Sequence, residues 1–194
     1  MDTELSPFYF DLLARFLKKE AGILLRPEKS YSLRAKLRPL ADHWGFPNLN
    51  ELVTHVHRQR HDPEVVDTLL NALTIKETRF FRDGRPFDLL RERILPRLVR
   101  VRGNRGLRLW SAACSNGQEA VSLAILLREV LPAEQAARCL VVGTDVSEEA
   151  ISRARTGIYT PEEVRRGLGR EQRDRYFEPV RDGYRLRSEV DLDA

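Results

Sequence analysis

Two carboxylates in the second half of the sequence stand where α/β proteins bind ligands. Glu119 opens an apolar helical stretch that follows a strand-like segment at residues 107–112. Asp145 lies near the end of the next strand-like segment, CLVVGTDV (residues 139–146). Ligands of α/β proteins bind beyond the carboxyl ends of parallel strands, and an acid after the second strand commonly accepts hydrogen bonds from a ribose. The spacing of these acids therefore predicts a nucleoside-binding site.

The turn between the first strand and its helix, SAACSNGQE, consists mostly of short side chains and contains a single glycine, Gly117. Short side chains let a ligand approach the backbone, and the helix that follows offers unpaired N–H groups. However, the dinucleotide fingerprint G-x-G-x-x-G is absent, and Glu119 would repel a phosphate. Two acids without a phosphate cradle favour a nucleoside with a positive centre, such as S-adenosylmethionine, although the spacing alone does not exclude other nucleotides.

Each acid also has a purely structural interpretation. A carboxylate in the first turn of a helix stabilises the helix dipole, which would account for Glu119. Asp145 would serve as the N-cap of the following helix, although Ser147 is equally well placed for that role. Residue types and spacing leave the structural and the ligand-binding interpretations of both acids open.

The composition is that of a folded globular chain of one or two domains. Of the 194 residues, 42% are hydrophobic and 32% are charged. No apolar run approaches the ~20 residues of a membrane span. The acidic N-terminus MDTELSPFYF is unlike a signal peptide, and two cysteines are too few for a disulfide framework or a Cys-rich zinc site. We therefore expect a cytoplasmic protein without membrane insertion and without a bound metal.

The formal net charge of +4 has two interpretations. The charge is either spread over a solvated surface or concentrated in a face that binds an acidic partner, which would be nucleic acid or an acidic protein. The sequence shows no alternation of aromatic and basic residues of the kind that stacks on bases. We therefore expect no nucleic-acid binding, and a nucleic-acid methyltransferase is the weakest interpretation.

Apolar residues recur at helical spacing through the first hundred residues, between clear capping signals. Ser6-Pro7 and Asp62-Pro63 are typical helix starts, and Gly45 ends a helix. The tract RVRGNRG (residues 100–106) is the best candidate for a linker. Three predicted helices begin at Pro7, at Pro63 and near Pro86. Two more are predicted at about residues 30–44 and 49–60.

Beyond residue 106 the pattern alternates between strands and helices. The order strand, helix, strand, helix predicts two parallel strands with a right-handed crossover, and RYFEPVRDGYRLRSEV predicts a hairpin around Asp182-Gly183. Such a sheet is small and has unpaired edges. We therefore expect either a longer protein that supplies further strands or a second chain that contacts the incomplete sheet edge.

Three long motifs occur in the same order as in one known family. TIKETRFFRD (residues 74–83), WSAACSNGQEAVSLA and GTDVSEEAISRARTGIY, followed by RYF, resemble the bacterial chemotaxis-receptor glutamate methyltransferases, the CheR family. The resemblance implies an α/β protein with a small all-helical receptor-recognition domain, residues 1–84, and a Rossmann-like methyltransferase domain, residues 85–194. The second domain would contain a β-hairpin subdomain at about residues 176–190 and would be incomplete at its C-terminus.

The resemblance also implies an activity and a cofactor. The family transfers a methyl group from S-adenosylmethionine to glutamates of chemoreceptors in chemotaxis and releases S-adenosylhomocysteine. A glutamate carboxylate is already ionised at neutral pH, so this protein-glutamate O-methylation needs no general base. The alternative is a non-catalytic relative that binds receptors or senses S-adenosylmethionine. Because the family's further strands have no counterpart in this sequence, we expect this chain to be weakly active or inactive.

Carried over residue by residue, the resemblance assigns one catalytic side chain and a set of cofactor ligands. Arg82 would be catalytic, by holding the substrate carboxylate or shaping the mouth of the site. The structural alternative is an ion pair with Asp83, Asp88 or Glu119. Lys76 stands where the family often has Asn, so it would add positive charge near a cationic cofactor. The implied cofactor-binding residues are Lys76, Thr78, Arg82, Glu119 and Asp145.

Receptor recognition would come from a basic helix. The family approaches the acidic methylation region of its receptors with such a helix, and here Arg34 and Arg38 share a helix face. The implied substrate-binding residues are Arg34, Lys36 and Arg38, with an ordinary solvated face as the alternative. The hairpin FEPVRDGYRL is short and has a single glycine, Gly183, which resembles the subgroup that does not dock to a C-terminal receptor pentapeptide.

Overall fold

The computed structural model describes residues 5–103 and 105–190, except for the side chain of Lys29. The chain forms two compact units, Met1–Ile75 and Lys76–Ala194. Each unit has its own hydrophobic core, so each is built around its own set of buried apolar side chains. The helical first unit and the mixed α/β second unit are the architecture that the sequence predicts.

The division between the units differs from the predicted boundary at residues 84 and 85. Residues 76–84 belong to the second unit, because Phe80 is 1% exposed in the core of that unit. The tract at residues 100–106 does not separate the units either, since a helix of the second unit runs to Arg102.

The first unit is helical, and its helices begin where capping residues predict. Pro7 and Pro63 stand in the first turns of their helices, and the side chain of Asp62 accepts a hydrogen bond from the backbone N–H of Glu64. The core includes Leu17 and Leu52, both fully buried. The helices are α1 (Pro7–Ala21), α2 (Ser30–His43), α3 (Leu49–Arg58) and α4 (Pro63–Leu73), with a 3-10 turn at Pro27–Lys29.

Lys36 on α2 holds the C-terminal end of α4. Its Nζ donates a hydrogen bond to the carbonyl oxygen of Leu73 over 2.6 Å. Leu73 is the last residue of α4, and the last carbonyls of a helix have no partner within the helix. The ammonium group therefore satisfies a carbonyl that the helix itself leaves unpaired, which is a structural role for one of the predicted receptor-binding residues.

Replacing Lys36 with Met should destabilise the first unit by about 1 kcal/mol, because the substitution keeps the aliphatic stem and removes the donor. The measurement is urea unfolding followed by Trp44 fluorescence, in a Trp110→Phe background that leaves Trp44 as the sole tryptophan. Lys18→Met, at an exposed position of α1, is the matched control. Equal unfolding midpoints for the two variants would contradict the assignment.

After residues 76–84, the second unit continues with one long helical stretch. It consists of α5 (Arg85–Leu89), a π-helical turn (Leu90–Ile94) and α6 (Leu95–Arg102). Pro96 has no N–H to bond the carbonyl four residues earlier, and its ring would clash with that carbonyl in a regular α-helix. The wider turn just before Pro96 relieves both problems.

The remaining helices of the second unit alternate with short strands. The helices are α7 (Gln118–Val130), α8 (Ala133–Ala136), α9 (Glu148–Thr156), α10 (Pro161–Arg165) and α11 (Arg170–Tyr176). The strands are β1 (Arg108–Ala112), β2 (Leu140–Thr144), β3 (Ile158–Tyr159), β4 (Phe177–Val180) and β5 (Gly183–Leu186).

The strands form two sheets. β1 and β2 pair in parallel, in register from Arg108 opposite Leu140 to Ala112 opposite Thr144, which confirms the predicted parallel pair. The predicted hairpin is also confirmed, as β4 and β5, and the structure adds β3 on the other side of β5. In the described part of the chain β1 pairs with β2 alone, and Trp110 on β1 is 71% exposed. A second chain at this sheet edge stays a prediction.

No helix in the described ranges is long and apolar enough to span a membrane.

Candidate cofactor site

The turn between β1 and α7 has an unusual backbone. Ala113 and Ser115 have φ values of 58° and 51°, although neither is glycine. Gly117 has a φ of 89°, and a Cβ there would lie 3.0 Å from both the Tyr159 hydroxyl and the Ala154 side chain. Left-handed non-glycine residues cost free energy and cluster at binding sites and other functional turns. The turn is therefore tightly constrained by its surroundings.

Asp145, which follows β2, braces this turn. Its Oδ2 accepts a hydrogen bond from the backbone N–H of Ser115 over 2.8 Å, and its Oδ1 accepts one from the N–H of Ser147 over 2.9 Å. Ser147 is the N-cap of α9, since its hydroxyl accepts from the N–H of Ala150. Each carboxylate oxygen has more than one lone pair, so Asp145 retains acceptor capacity for a ligand.

Glu119 lies in the first turn of α7 and is exposed. Its Oε1 accepts a hydrogen bond from the hydroxyl of Ser111 over 2.7 Å, and Ser111 is buried on β1. Glu119 and Asp145 thus stand at the carboxyl ends of adjacent parallel strands, as their spacing predicts. Sequence reasoning missed the roles of Ser111, at the end of β1, and of Ser115, in the turn, because a small polar residue gives no signal of the hydrogen bond it makes.

Cys114 lies in the same turn but does not have the character of a nucleophile. The residue is 1% exposed. Burial raises the pKa of its thiol, and the neighbouring carboxylate of Asp145 raises it further. The thiolate is the reactive form of cysteine, so a raised pKa keeps Cys114 as an inert thiol at neutral pH.

Besides the packing of Phe80 in the core, two polar contacts attach residues 76–84 to the rest of the second unit. The backbone N–H of Phe81 donates to Ser122 Oγ on α7 over 2.9 Å. Lys76 Nζ lies 2.5 Å from Glu149 Oε2 in the first turn of α9. Thr78 lies between these two attachments along the chain. The segment is therefore connected to both helices that follow the parallel strands, at the second turn of α7 and the first turn of α9.

Arg82 is exposed, and its charge is not neutralised. Its Nη1 donates to the carbonyl oxygen of Glu77 over 3.1 Å. Among the described residues it forms no ion pair, so the alternative partners Asp83, Asp88 and Glu119 do not bind it; Asp83 pairs with Arg79 instead. The structure therefore leaves the guanidinium of Arg82 available to an anion.

The remaining predicted residues already have partners inside the protein. The ammonium of Lys76 is compensated by Glu149, so its assignment to the cofactor stays a prediction. In the first unit, Arg38 pairs with Asp42 over 2.9 Å, and Lys36 binds the carbonyl of Leu73. The assignment of Arg34, Lys36 and Arg38 to a receptor is likewise a prediction that the geometry leaves untested.

Comparison with known proteins identifies the family. Residues 9–74 match the family model of the CheR methyltransferase all-alpha domain, and residues 76–192 match that of the CheR methyltransferase SAM-binding domain. The chain belongs to the CheR methyltransferase family. The two matches meet where the structure divides into its two units. S-adenosylmethionine (SAM) is therefore the cofactor of the domain that contains the β1–α7 turn.

Curated relatives carry names that agree with this family. Chemotaxis protein methyltransferase 1 of Pseudomonas aeruginosa is 37% identical over 172 residues, which cover 87% of this chain and 62% of that protein. Chemotaxis protein methyltransferase Cher2 of Pseudomonas putida is 34% identical over 173 residues, covering 88% of this chain and 62% of that protein. The CheR chain described here thus spans about three fifths of the length of these relatives.

The turn between β1 and α7 is better suited to bind a cationic nucleoside than a phosphate. Two carboxylates border it, and no lysine or arginine occurs between residues 111 and 119. The hydroxyl of Ser115 and the side-chain carbonyl of Gln118 are buried and have no hydrogen-bond partner in the described part of the chain. Unpaired buried acceptors beside two acids are compatible with the hydroxyl and ammonium groups of SAM.

Asp145→Asn should weaken binding of S-adenosylhomocysteine to this chain at least about tenfold, because it removes one acceptor oxygen and the negative charge. Isothermal titration calorimetry measures the affinity, and thermal unfolding shows whether the variant is still folded. Asp182→Asn, in the exposed hairpin turn, is the matched control and should bind like the unsubstituted chain. Equal affinities for both variants would show that Asp145 does not bind the cofactor.

Proposed function

We propose that this chain is the receptor-recognition and cofactor-binding part of a SAM-dependent methyltransferase that esterifies glutamate side chains of bacterial chemoreceptors. The observation that carries the proposal is the placement of Glu119 and Asp145 at the carboxyl ends of adjacent parallel strands, around a turn without basic residues. The family match and the names of the relatives support methyl transfer in chemotaxis. The glutamate substrate rests on the sequence resemblance.

The residues around the β1–α7 turn would hold the cofactor. Asp145 would accept hydrogen bonds from its ribose, while Glu119 and Thr78 would contact its polar groups. Bound SAM supplies a methyl group on a positively charged sulfur. The protein's own contribution is to fix the position of that group, because orientation of two reactants can remove a large part of a reaction barrier.

Arg82 would orient the substrate. A glutamate side chain has an ordinary pKa near ~4.3, so it reaches the site as a carboxylate and needs no base. An exposed guanidinium without a carboxylate partner is suited to hold such an anion in a defined orientation. The assignment is supported by the attachment of residues 76–84, which contain Arg82, to both helices beyond the parallel strands.

Arg82→Ala should abolish methyl transfer in the full-length enzyme while leaving S-adenosylhomocysteine affinity within about threefold of the unsubstituted enzyme, since Arg82 would act mainly on the substrate. The assay follows radiolabelled methyl groups from SAM into a receptor methylation region and tests whether the label is released by base, as a methyl ester is. Arg79→Ala is the matched control, because Arg79 lies in the same segment but is paired with Asp83.

Each outcome of this assay has a clear meaning. Base-labile labelling that Arg82→Ala removes and Arg79→Ala keeps supports the glutamate methyltransferase. Binding of S-adenosylhomocysteine without any transfer by the unsubstituted full-length enzyme favours the alternative function, a receptor-binding or SAM-sensing module. Base-stable labelling would show that the product is not a carboxylate ester and would contradict the glutamate substrate.

Helix α2 would contact the acidic methylation region of the receptor. Arg34 and Arg38 lie four residues apart on α2, so they lie on one helix face. The ion pair of Arg38 with Asp42 is surface-exposed on both sides, and exposed pairs contribute little free energy. A more acidic partner can therefore compete for Arg38, whereas Lys36 is retained by the carbonyl of Leu73.

Arg34→Glu combined with Arg38→Glu should weaken binding to a receptor methylation region about tenfold or more at low ionic strength and flatten its dependence on salt. The matched control is Arg58→Glu with Arg60→Glu, which changes the net charge equally at exposed positions near the end of α3. Affinity is measured across a salt series. If the control variant weakens binding as much as the α2 variant does, the loss of affinity comes from the change in net charge, and α2 is not the receptor-binding helix.

A further inference from the structure

The peptide unit between Phe80 and Phe81 lies in a stretch of unusual backbone conformation. Phe81 has a φ of 46°, a left-handed conformation that bulky residues avoid. Asp83 and Gly84 also have positive φ values, of 65° and 56°. A run of such residues persists only when the surrounding structure determines it. Since Arg82 lies inside this run, whatever holds the peptide also determines where Arg82 points.

Ser122 holds the amide side of this peptide. Its hydroxyl oxygen accepts the hydrogen bond from Phe81 N–H over 2.9 Å and donates its own hydrogen to the carbonyl of Gln118 over 2.7 Å. A hydroxyl has one donor and two acceptor positions. The bond to Gln118 therefore turns a lone pair of Ser122 toward Phe81, and Ser122 is fully buried on α7, so water cannot substitute for it.

Gly167 closes the carbonyl side of the same peptide. A Cβ on Gly167 would lie 2.2 Å from the carbonyl oxygen of Phe80 and 2.8 Å from its carbonyl carbon. Those distances are far inside contact, so only glycine lets the backbone at residue 167 approach so closely. The ring of Phe80 is fixed as well, in edge-to-face contact with Tyr159 and Phe177 at centroid distances of 4.9 and 5.7 Å.

We propose that Ser122 and Gly167 are positioning residues that clamp the Phe80–Phe81 peptide and thereby place Thr78 and Arg82 beside the cofactor turn. Both residues act through the backbone of residues 76–84. The inference rests on the proposed function, since it assumes that Thr78 contacts the cofactor and that Arg82 holds the substrate beside it. It adds two residues, one on α7 and one after α10, to those that determine the geometry of the site.

The test measures the clamp and its consequence separately. Ser122→Ala removes the acceptor of the Phe81 N–H, so hydrogen exchange of that amide in the ligand-free chain should accelerate at least about tenfold relative to the amide of buried Ile125. S-adenosylhomocysteine affinity, measured at a temperature where each variant is fully folded, should fall about tenfold. Ser122→Thr, which keeps the hydroxyl, should restore most of both values.

Gly167→Ala should have the same two effects, because its Cβ would push the carbonyl of Phe80 away. The matched control is Gly169→Ala in the same loop, where an added Cβ would meet its nearest neighbour, Gln172 Oε1, only at 4.0 Å. This control should leave Phe81 exchange and cofactor affinity unchanged. If Gly167→Ala does not fold, Ser122→Ala and Ser122→Thr decide the question.

Failure of the inference can be separated from failure of the proposed function. If the unsubstituted chain does not bind S-adenosylhomocysteine, the proposed function is wrong and the inference is wrong with it. If the unsubstituted chain binds, and folded Ser122→Ala binds equally well despite faster exchange at Phe81, the clamp is merely structural and only the inference is overturned. Unchanged exchange at Phe81 would overturn it as well.

Discussion

The carboxylate of Asp145 holds together the two turns on which the proposed site depends. One oxygen binds the N–H of Ser115 after β1, and the other binds the N–H of Ser147 at the start of α9. Hydrogen bonds from backbone amides to a carboxylate are roughly twice as strong as neutral ones. They stabilise Ser115 in a left-handed conformation that it would otherwise avoid. Asp145 is therefore a structural brace and a candidate ligand acceptor at the same time.

Among the described residues, one of the basic side chains in residues 76–84 has no ion-pair partner. That segment contains three basic side chains. Lys76 is paired with Glu149 and Arg79 with Asp83, while Arg82 has no carboxylate partner in the described part of the chain. The positive charge of Lys76 is thus compensated near the acidic turn that would face a cationic cofactor. Arg82 would keep its charge for the anionic substrate of the proposed reaction.

The small antiparallel sheet is continuous with the cofactor turn rather than an independent addition. Glu163 on α10 accepts hydrogen bonds from Gln118, the first residue of α7, and from Arg153 on α9. Tyr159 on β3 fills the space that a side chain at Gly117 would occupy. The hydrophobic core of the second unit includes residues from both sheets. Changes in the hairpin region therefore reach the turn through packing and hydrogen bonds.

The sequence by itself determined the local elements and the two acids, because helix caps, apolar periodicity and strand-end positions depend on neighbours within a few residues. The caps at Asp62 and Ser147 and the ends of β1 and β2 follow from such signals. Only the tertiary structure decided the division after Ile75 and the partners of Lys36, Lys76 and Ser122. Those partners lie 37, 73 and 41 residues away along the chain, and no local pattern records which distant groups folding brings into contact.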